Sequence, residues 1–127
     1  MRIIIIDDDY HTCQTLARFL EEKGFTTRSH TTIADAVRTL ITEEWDLMLL
    51  DYHLPGLDGT DALPIIQEVS PKLPVILMAD EANRQDQARA LRAGAFYLLR
   101  KPINRRELLR VIRSTPLAQQ TPKQSKK

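Results

Sequence analysis

A run of four isoleucines, Ile3 to Ile6, stops against three aspartates, Asp7-Asp8-Asp9. Four consecutive β-branched residues leave no polar face, so the run suits a strand covered on both sides. The pattern recurs at Asp46 to Asp51 (Asp-Leu-Met-Leu-Leu-Asp), Pro74 to Met78 and Phe96 to Leu99, and more weakly at Phe25 to Ser29. Helical periodicity fills the gaps. Cys13, Leu16, Ala17 and Leu20 predict a helix over Tyr10 to Lys23, with Gly24 as its stop. Ile33, Val37, Leu40 and Ile41 predict a second helix, capped by Thr31 or Thr32. Pro55, Gly56 and Gly59 make His53 to Gly59 a loop, and Pro64 delays the third helix to about Asp61, from where it runs to Val69. A fourth helix spans Ala82 to Ala93 and closes at Gly94. A fifth spans Asn104 to Arg113, with Asn104 and Glu107 at capping-box spacing. Strand and helix thus alternate five times, which predicts an α/β domain with a parallel sheet between helical layers.

At 127 residues, 43% hydrophobic and 28% charged, the chain suits one ordinary globular domain. No apolar run approaches the roughly 20 residues of a membrane span. The four isoleucines are too few for a secretion signal, so Met1 reads as a native start and the chain as cytoplasmic. The single cysteine, Cys13, excludes an internal disulfide and reads as a small core residue. The sequence from Ser114 is polar and aperiodic, which divides the chain into a domain at 1–113 and a tail or linker at 114–127. Charge is split: residues 1–70 hold 13 acidic and 5 basic residues, and residues 71–127 hold 4 acidic and 13 basic. Such a split suits an acidic site in one place and a basic surface in another.

Ligands of open parallel sheets collect where the strands end at their carboxyl side. Asp7, Asp8 and Asp9, then Asp51, then Ala79-Asp80, then Arg100-Lys101-Pro102 follow strands one, three, four and five. Two carboxylates about 4 Å apart repel by roughly 4 kcal/mol at an effective dielectric near 20, so something must offset the cluster. A hard divalent cation would do so, and Mg²⁺ favours one or two carboxylates with waters and phosphate oxygens. Lys101 adds a point charge suited to a phosphate oxygen. Carboxylate, metal and lysine together suggest phosphoryl transfer to an aspartate. Asp9 reads as the cap of the first helix, and Asp58 as a residue of its turn.

These residues resemble the receiver domain of bacterial two-component response regulators over roughly residues 1–113. The likeness is carried by Ile-Ile-Ile-Ile-Asp-Asp-Asp at 3–9, Leu-Leu-Asp-Tyr-His-Leu-Pro-Gly-Leu-Asp-Gly at 49–59, Leu-Pro-Val-Ile-Leu-Met at 73–78, Gly-Ala at 94–95 and Lys-Pro at 101–102. The resemblance implies a flavodoxin-like, doubly wound sheet of order 2-1-3-4-5. It implies that Asp51 accepts a phosphoryl group from a sensor histidine kinase or phosphotransfer protein. Asp8, Asp51 and the His53 carbonyl would hold Mg²⁺ or Mn²⁺, with Asp7 reaching the metal through water. Lys101 would pair with Asp51 and then with the phosphoryl group, and the Lys101–Pro102 bond would be cis. His53 and Glu81 fall where relatives tune the loss of the phosphoryl group.

Two positions depart from the pattern. Ala79 stands where relatives carry a Ser or Thr whose hydroxyl binds the phosphoryl group, and Leu98 stands where they carry an aromatic that swings inward. Tyr97, one residue earlier, should point to the opposite side of the sheet. The expected function is therefore a phosphoacceptor with atypical switch residues, not a turnover enzyme on a small substrate. It would relay to an output domain or partner through the face of helices four and five, a face that would also suit a homodimer. No helix-turn-helix unit or basic stripe with aromatics points to direct nucleic-acid binding. The main alternative is a receiver-like interaction module that works without phosphorylation. An aspartyl-phosphate phosphatase would use Asp7 and Asp9 but leave Asp51 and the Pro-Gly loop unexplained. A flavodoxin-like electron carrier would need hydroxyls where three aspartates stand.

Overall fold

The computed structural model describes residues 1–81 and 83–117. Its main sheet holds β1 (Arg2–Ile6), β2 (Thr26–His30), β3 (Leu47–Asp51), β6 (Val75–Ala79) and β7 (Tyr97–Arg100). All neighbours pair in parallel in the order β2-β1-β3-β6-β7, which is 2-1-3-4-5 when the strands of this sheet alone are counted. The helices are α1 (Tyr10–Glu22), α2 (Ile33–Thr42), α3 (Gly59–Val69), α4 (Arg84–Arg92) and α5 (Arg105–Arg113).

Strand alternation divides the core into two layers. Ile3, Ile5, Leu47, Leu49, Ile76 and Met78 face α1 and α5, whose Leu16, Phe19, Leu20, Leu108 and Ile112 close over them. Ile4, Ile6, Met48, Leu50, Leu77 and Leu98 face α2, α3 and α4. Both faces are dry, which is why the strands read as unbroken apolar runs. Each fully buried Ile or Leu contributes roughly 1.5–3 kcal/mol, so the sheet fixes the positions of its own ends.

The structure moves several expected boundaries. The segment His53 to Gly59 is not a plain loop: β4 (His53–Leu54) and β5 (Leu57–Asp58) pair as a small antiparallel hairpin around Gly56. The third helix starts at Gly59 rather than near Asp61, with Pro64 inside it. Asp58 is the reason, because its carboxylate accepts the Asp61 N–H at 3.0 Å and caps the helix early. Asp58 therefore does more than serve its turn. Gly59 is required for packing: a Cβ there would lie 2.9 Å from Leu77 Cδ2 and 3.0 Å from Tyr52 Cδ2.

Thr32 rather than Thr31 caps α2, and Asp9 caps α1 as expected. The fourth helix begins at Arg84, two residues later than expected, because Asn83 and Asp86 form a reciprocal capping box. Its expected first residue, Ala82, lies outside the described residues. The weak second strand is displaced by one residue, to Thr26–His30. Ser114 caps α5 and Thr115 is fully buried. From residue 118 onward the expected tail lies outside the described residues.

Candidate functional site

The carboxyl ends of β1, β3 and β7 bring together residues that are far apart in sequence. Asp7 follows β1 and is fully buried, Asp51 closes β3 and is nearly so, and Asp8 is exposed. One carboxylate oxygen from each of Asp7, Asp8 and Asp51 lies within 4.8 Å of the others. Lys101, just after β7, reaches across: its Nζ donates to Asp7 Oδ2 at 3.0 Å and to Asp51 Oδ1 at 3.2 Å. The family resemblance implies a pair of Lys101 with Asp51 alone, and the bond to Asp7 has no signal in the sequence.

Backbone geometry holds these groups in place. The Lys101 N–H donates to the Ala79 carbonyl at 2.7 Å, and the Lys101–Pro102 peptide is cis. The Asp9 N–H donates to Asp7 Oδ1 at 2.9 Å, leaving the other Asp7 oxygen to Lys101. Beneath Asp7 lies Cys13, whose Sγ donates to the Asp7 carbonyl at 3.3 Å. Burial, aided by the Asp7 charge, pushes the Cys13 thiol up to about 11, so it stays protonated and able to donate. Sequence periodicity marked Cys13 only as core.

Burial pushes the Asp51 carboxyl above its ordinary range, and the negative charge of Asp7 adds to that shift. The hydrogen bond and charge of Lys101 offset part of it. Burial pulls the Lys101 ammonium down, but hydrogen bonds to Asp7 and Asp51 and their charges outweigh it, and the net direction is up. The pocket is thus short of positive charge. Three hard oxygen donors at this spacing suit a hard divalent cation, whose charge would stabilise Asp51 in its ionised form.

The remaining candidates surround this pocket without entering it. The His53 N–H points at Asp51 Oδ1 at 3.4 Å, while its exposed ring meets Tyr52 edge-on at 4.9 Å between centroids. Glu81 is exposed and makes no hydrogen bond or ion pair among the described residues. Ala79 ends β6 with a buried methyl, and Leu98 packs into the layer beneath α2, α3 and α4. Tyr97 lies against the other layer, and its hydroxyl approaches Glu107 Oε2 at 3.5 Å. Neither a hydroxyl nor an aromatic ring occupies the 79 and 98 positions.

The family model of the response regulator receiver domain matches residues 3–113. Among curated proteins, the chain is 33% identical over 108 residues to the DNA-binding transcriptional regulator NtrC of Proteus hauseri, covering 85% of this chain and 23% of that protein. It is 30% identical over 114 residues to the probable transcriptional regulatory protein SilR of Salmonella typhimurium, covering 90% and 50%. The chain therefore spans half or less of these curated relatives. Among solved structures, a two-component response regulator from Clostridium difficile superposes with a TM-score of 0.84 at 30% identity, covering 91% of this chain and 94% of that one. A CheY-like receiver domain from Methanospirillum hungatei gives 0.80 at 29% identity, covering 88% and 90%.

Proposed function

The chain belongs to the response regulator receiver domains of two-component systems, and from that premise we propose that Asp51 is its phosphoacceptor. One observation carries the reading: Asp51 shares a pocket with Asp7, Asp8 and the bridging Lys101. A carboxylate oxygen of Asp51 attacks the phosphorus of a phosphohistidine on a sensor kinase or phosphotransfer protein. The P–O bond forms as the P–N bond breaks, and the electron pair leaves with the imidazole nitrogen. Lys101 stays an ammonium throughout, releasing Asp51 and following charge onto the phosphoryl oxygens. The His53 N–H is placed to donate to the same region.

Asp8, Asp51 and the His53 carbonyl would hold Mg²⁺ or Mn²⁺, with Asp7 reaching it through water. When bound, the ion supplies charge neutralisation between the incoming phosphoryl group and the carboxylates. The donor protein has an approach beside Lys101, where His11, Thr12, Leu16, Phe19 and Pro102 line a groove of about 370 Å³. In this reading residues 1–113 form the receiving unit, work in the cytoplasm, and pass the signal to an output region or a protein partner. Incubation with acetyl phosphate and Mg²⁺ should yield a phosphorylated mass that is alkali-labile and absent in Asp51→Asn. Persistence of the adduct in that variant, or no adduct in the parent chain, would sink the assignment.

Ala79 and Leu98 favour a second reading, an interaction module whose partner binds without phosphorylation. The labelling experiment separates the two, because that module would take no label on Asp51 and the parent chain would behave as Asp51→Asn does.

A further inference from the structure

The outer face of α5 carries a charge arrangement that folding does not explain. Arg105 and Arg106 occupy the first turn of this helix, where the helix field disfavours cations. Arg105 is accommodated by stacking over the Phe19 ring at 4.9 Å. Among the described residues Arg106 has no such partner. Together with Leu109, Arg110, Arg113 and Ser114 it lines a shallow groove of about 390 Å³. Among the described residues neither Arg106 nor Arg113 forms an ion pair, and Arg110 meets Glu107 only at 3.9 Å. Three guanidinia thus share one face with a single long contact to a carboxylate, that of Arg110 with Glu107, and Leu109 adds an apolar side chain to the groove.

This face is distinct from the edge of α5 that borders β7. Glu107 marks that edge, turned toward the Tyr97 hydroxyl, while the Arg106–Arg110–Arg113 stripe, at i, i+4 and i+7, lies elsewhere on the helix. We propose that the stripe is a docking surface for an acidic amphipathic helix of a partner protein. Its carboxylates, repeated every three or four residues, would meet the guanidinia, and an apolar side chain would cover Leu109. A nucleic acid fits less well. The net charge of the chain is only +1 and residues 1–70 carry a balance of −8, so an extended polyanion would be repelled beyond the stripe.

The test is an amide NMR titration of the full, isotope-labelled chain with a short helical peptide bearing glutamates at i, i+4 and i+7 and leucine at i+3. Shifts should concentrate at residues 106–114 and weaken with added salt. A peptide with glutamine for glutamate should bind at least about ten-fold more weakly, which is the loss of roughly 1.4 kcal/mol. The combined Arg106→Gln, Arg110→Gln and Arg113→Gln variant should lose a similar factor while its acetyl phosphate labelling at Asp51 is unchanged. Shifts scattered over the surface, or equal binding of the glutamine peptide, would overturn the proposal without any variant being needed. A short DNA duplex that binds the stripe as tightly as the acidic peptide would overturn it in favour of a nucleic-acid surface.

Discussion

Two regions meet at the carboxyl end of the sheet, and they are built to different standards. Around Asp51 the buried charges are held: Asp7 is fully buried, and Lys101 bonds to both it and Asp51. On the α4 side the same sheet offers only a methyl at Ala79 and an aliphatic side chain at Leu98. The helix that lies there, α4, buries a single side chain, Ala90, whereas α1 buries Cys13, Leu16, Phe19 and Leu20. At roughly 1.5–3 kcal/mol for a large apolar side chain and less for alanine, α4 is held by a fraction of what holds α1. The proposed function therefore predicts that chemistry and relay are separable in this chain. Under that function the pocket would carry the phosphoryl chemistry, while positions 79 and 98 offer it neither a hydroxyl nor an aromatic ring.

The contrast breaks most sharply at the pocket. Asp51→Asn should remove acetyl phosphate labelling entirely, and chelation of divalent ions should do the same to the parent chain. Lys101→Ala should slow labelling by about 10²–10³-fold, the usual loss when a donor to developing charge is removed. Mass spectrometry against time measures both. A Lys101→Ala rate within a few-fold of the parent would mean that the two hydrogen bonds of Lys101, to Asp7 and Asp51, are structural only.

A smaller effect is expected on the relay side. Beryllofluoride with Mg²⁺ should shift amides around Asp51 but leave β7 and α4 nearly unchanged. The pair Ala79→Thr and Leu98→Tyr should restore a response there. One hydrogen bond to a charged phosphoryl oxygen is worth about 1.5–3 kcal/mol, enough to move a two-state population by ten-fold or more. Large α4 shifts in the unaltered chain would show that the relay does not need the missing groups.

Most of the pocket was legible in the sequence because each of its acids stands directly after an apolar strand, so buried runs also fixed the strand ends. Strand order followed from likeness to a known family rather than from the runs themselves. What stayed hidden depended on side chains meeting across the fold. Lys101 touches Asp7 only because the parallel sheet brings the ends of β1 and β7 to one edge, 94 residues apart in sequence. Pro64 suggests a later start for α3, but the cap at Asp58 and the tight contact of Gly59 with Leu77 prevail. The capping box of Asn83 and Asp86 went unread because the alanine-rich segment looked helical from further upstream.

That capping box supplies the smallest and most local test. With one buried alanine, α4 depends on its ends: Asn83 accepts the Asp86 N–H at 2.9 Å, Asp86 accepts the Asn83 N–H at 3.0 Å, and Arg89 and Arg92 stand in the last turn. Asn83→Ala should cost about 1 kcal/mol, as N-cap losses usually do. If α4 opens on its own, that cost appears as roughly five-fold faster amide exchange confined to α4. Asp9→Ala removes the corresponding cap of α1, whose oxygen accepts the His11 N–H at 3.0 Å. There the four buried side chains should hold the helix, and interior α1 amides should exchange only through global unfolding. Equal local acceleration in both helices would show that burial does not set their difference. Acceleration in α4 alone would make its light anchorage a property of the relay side itself, independent of whether Asp51 carries a phosphoryl group.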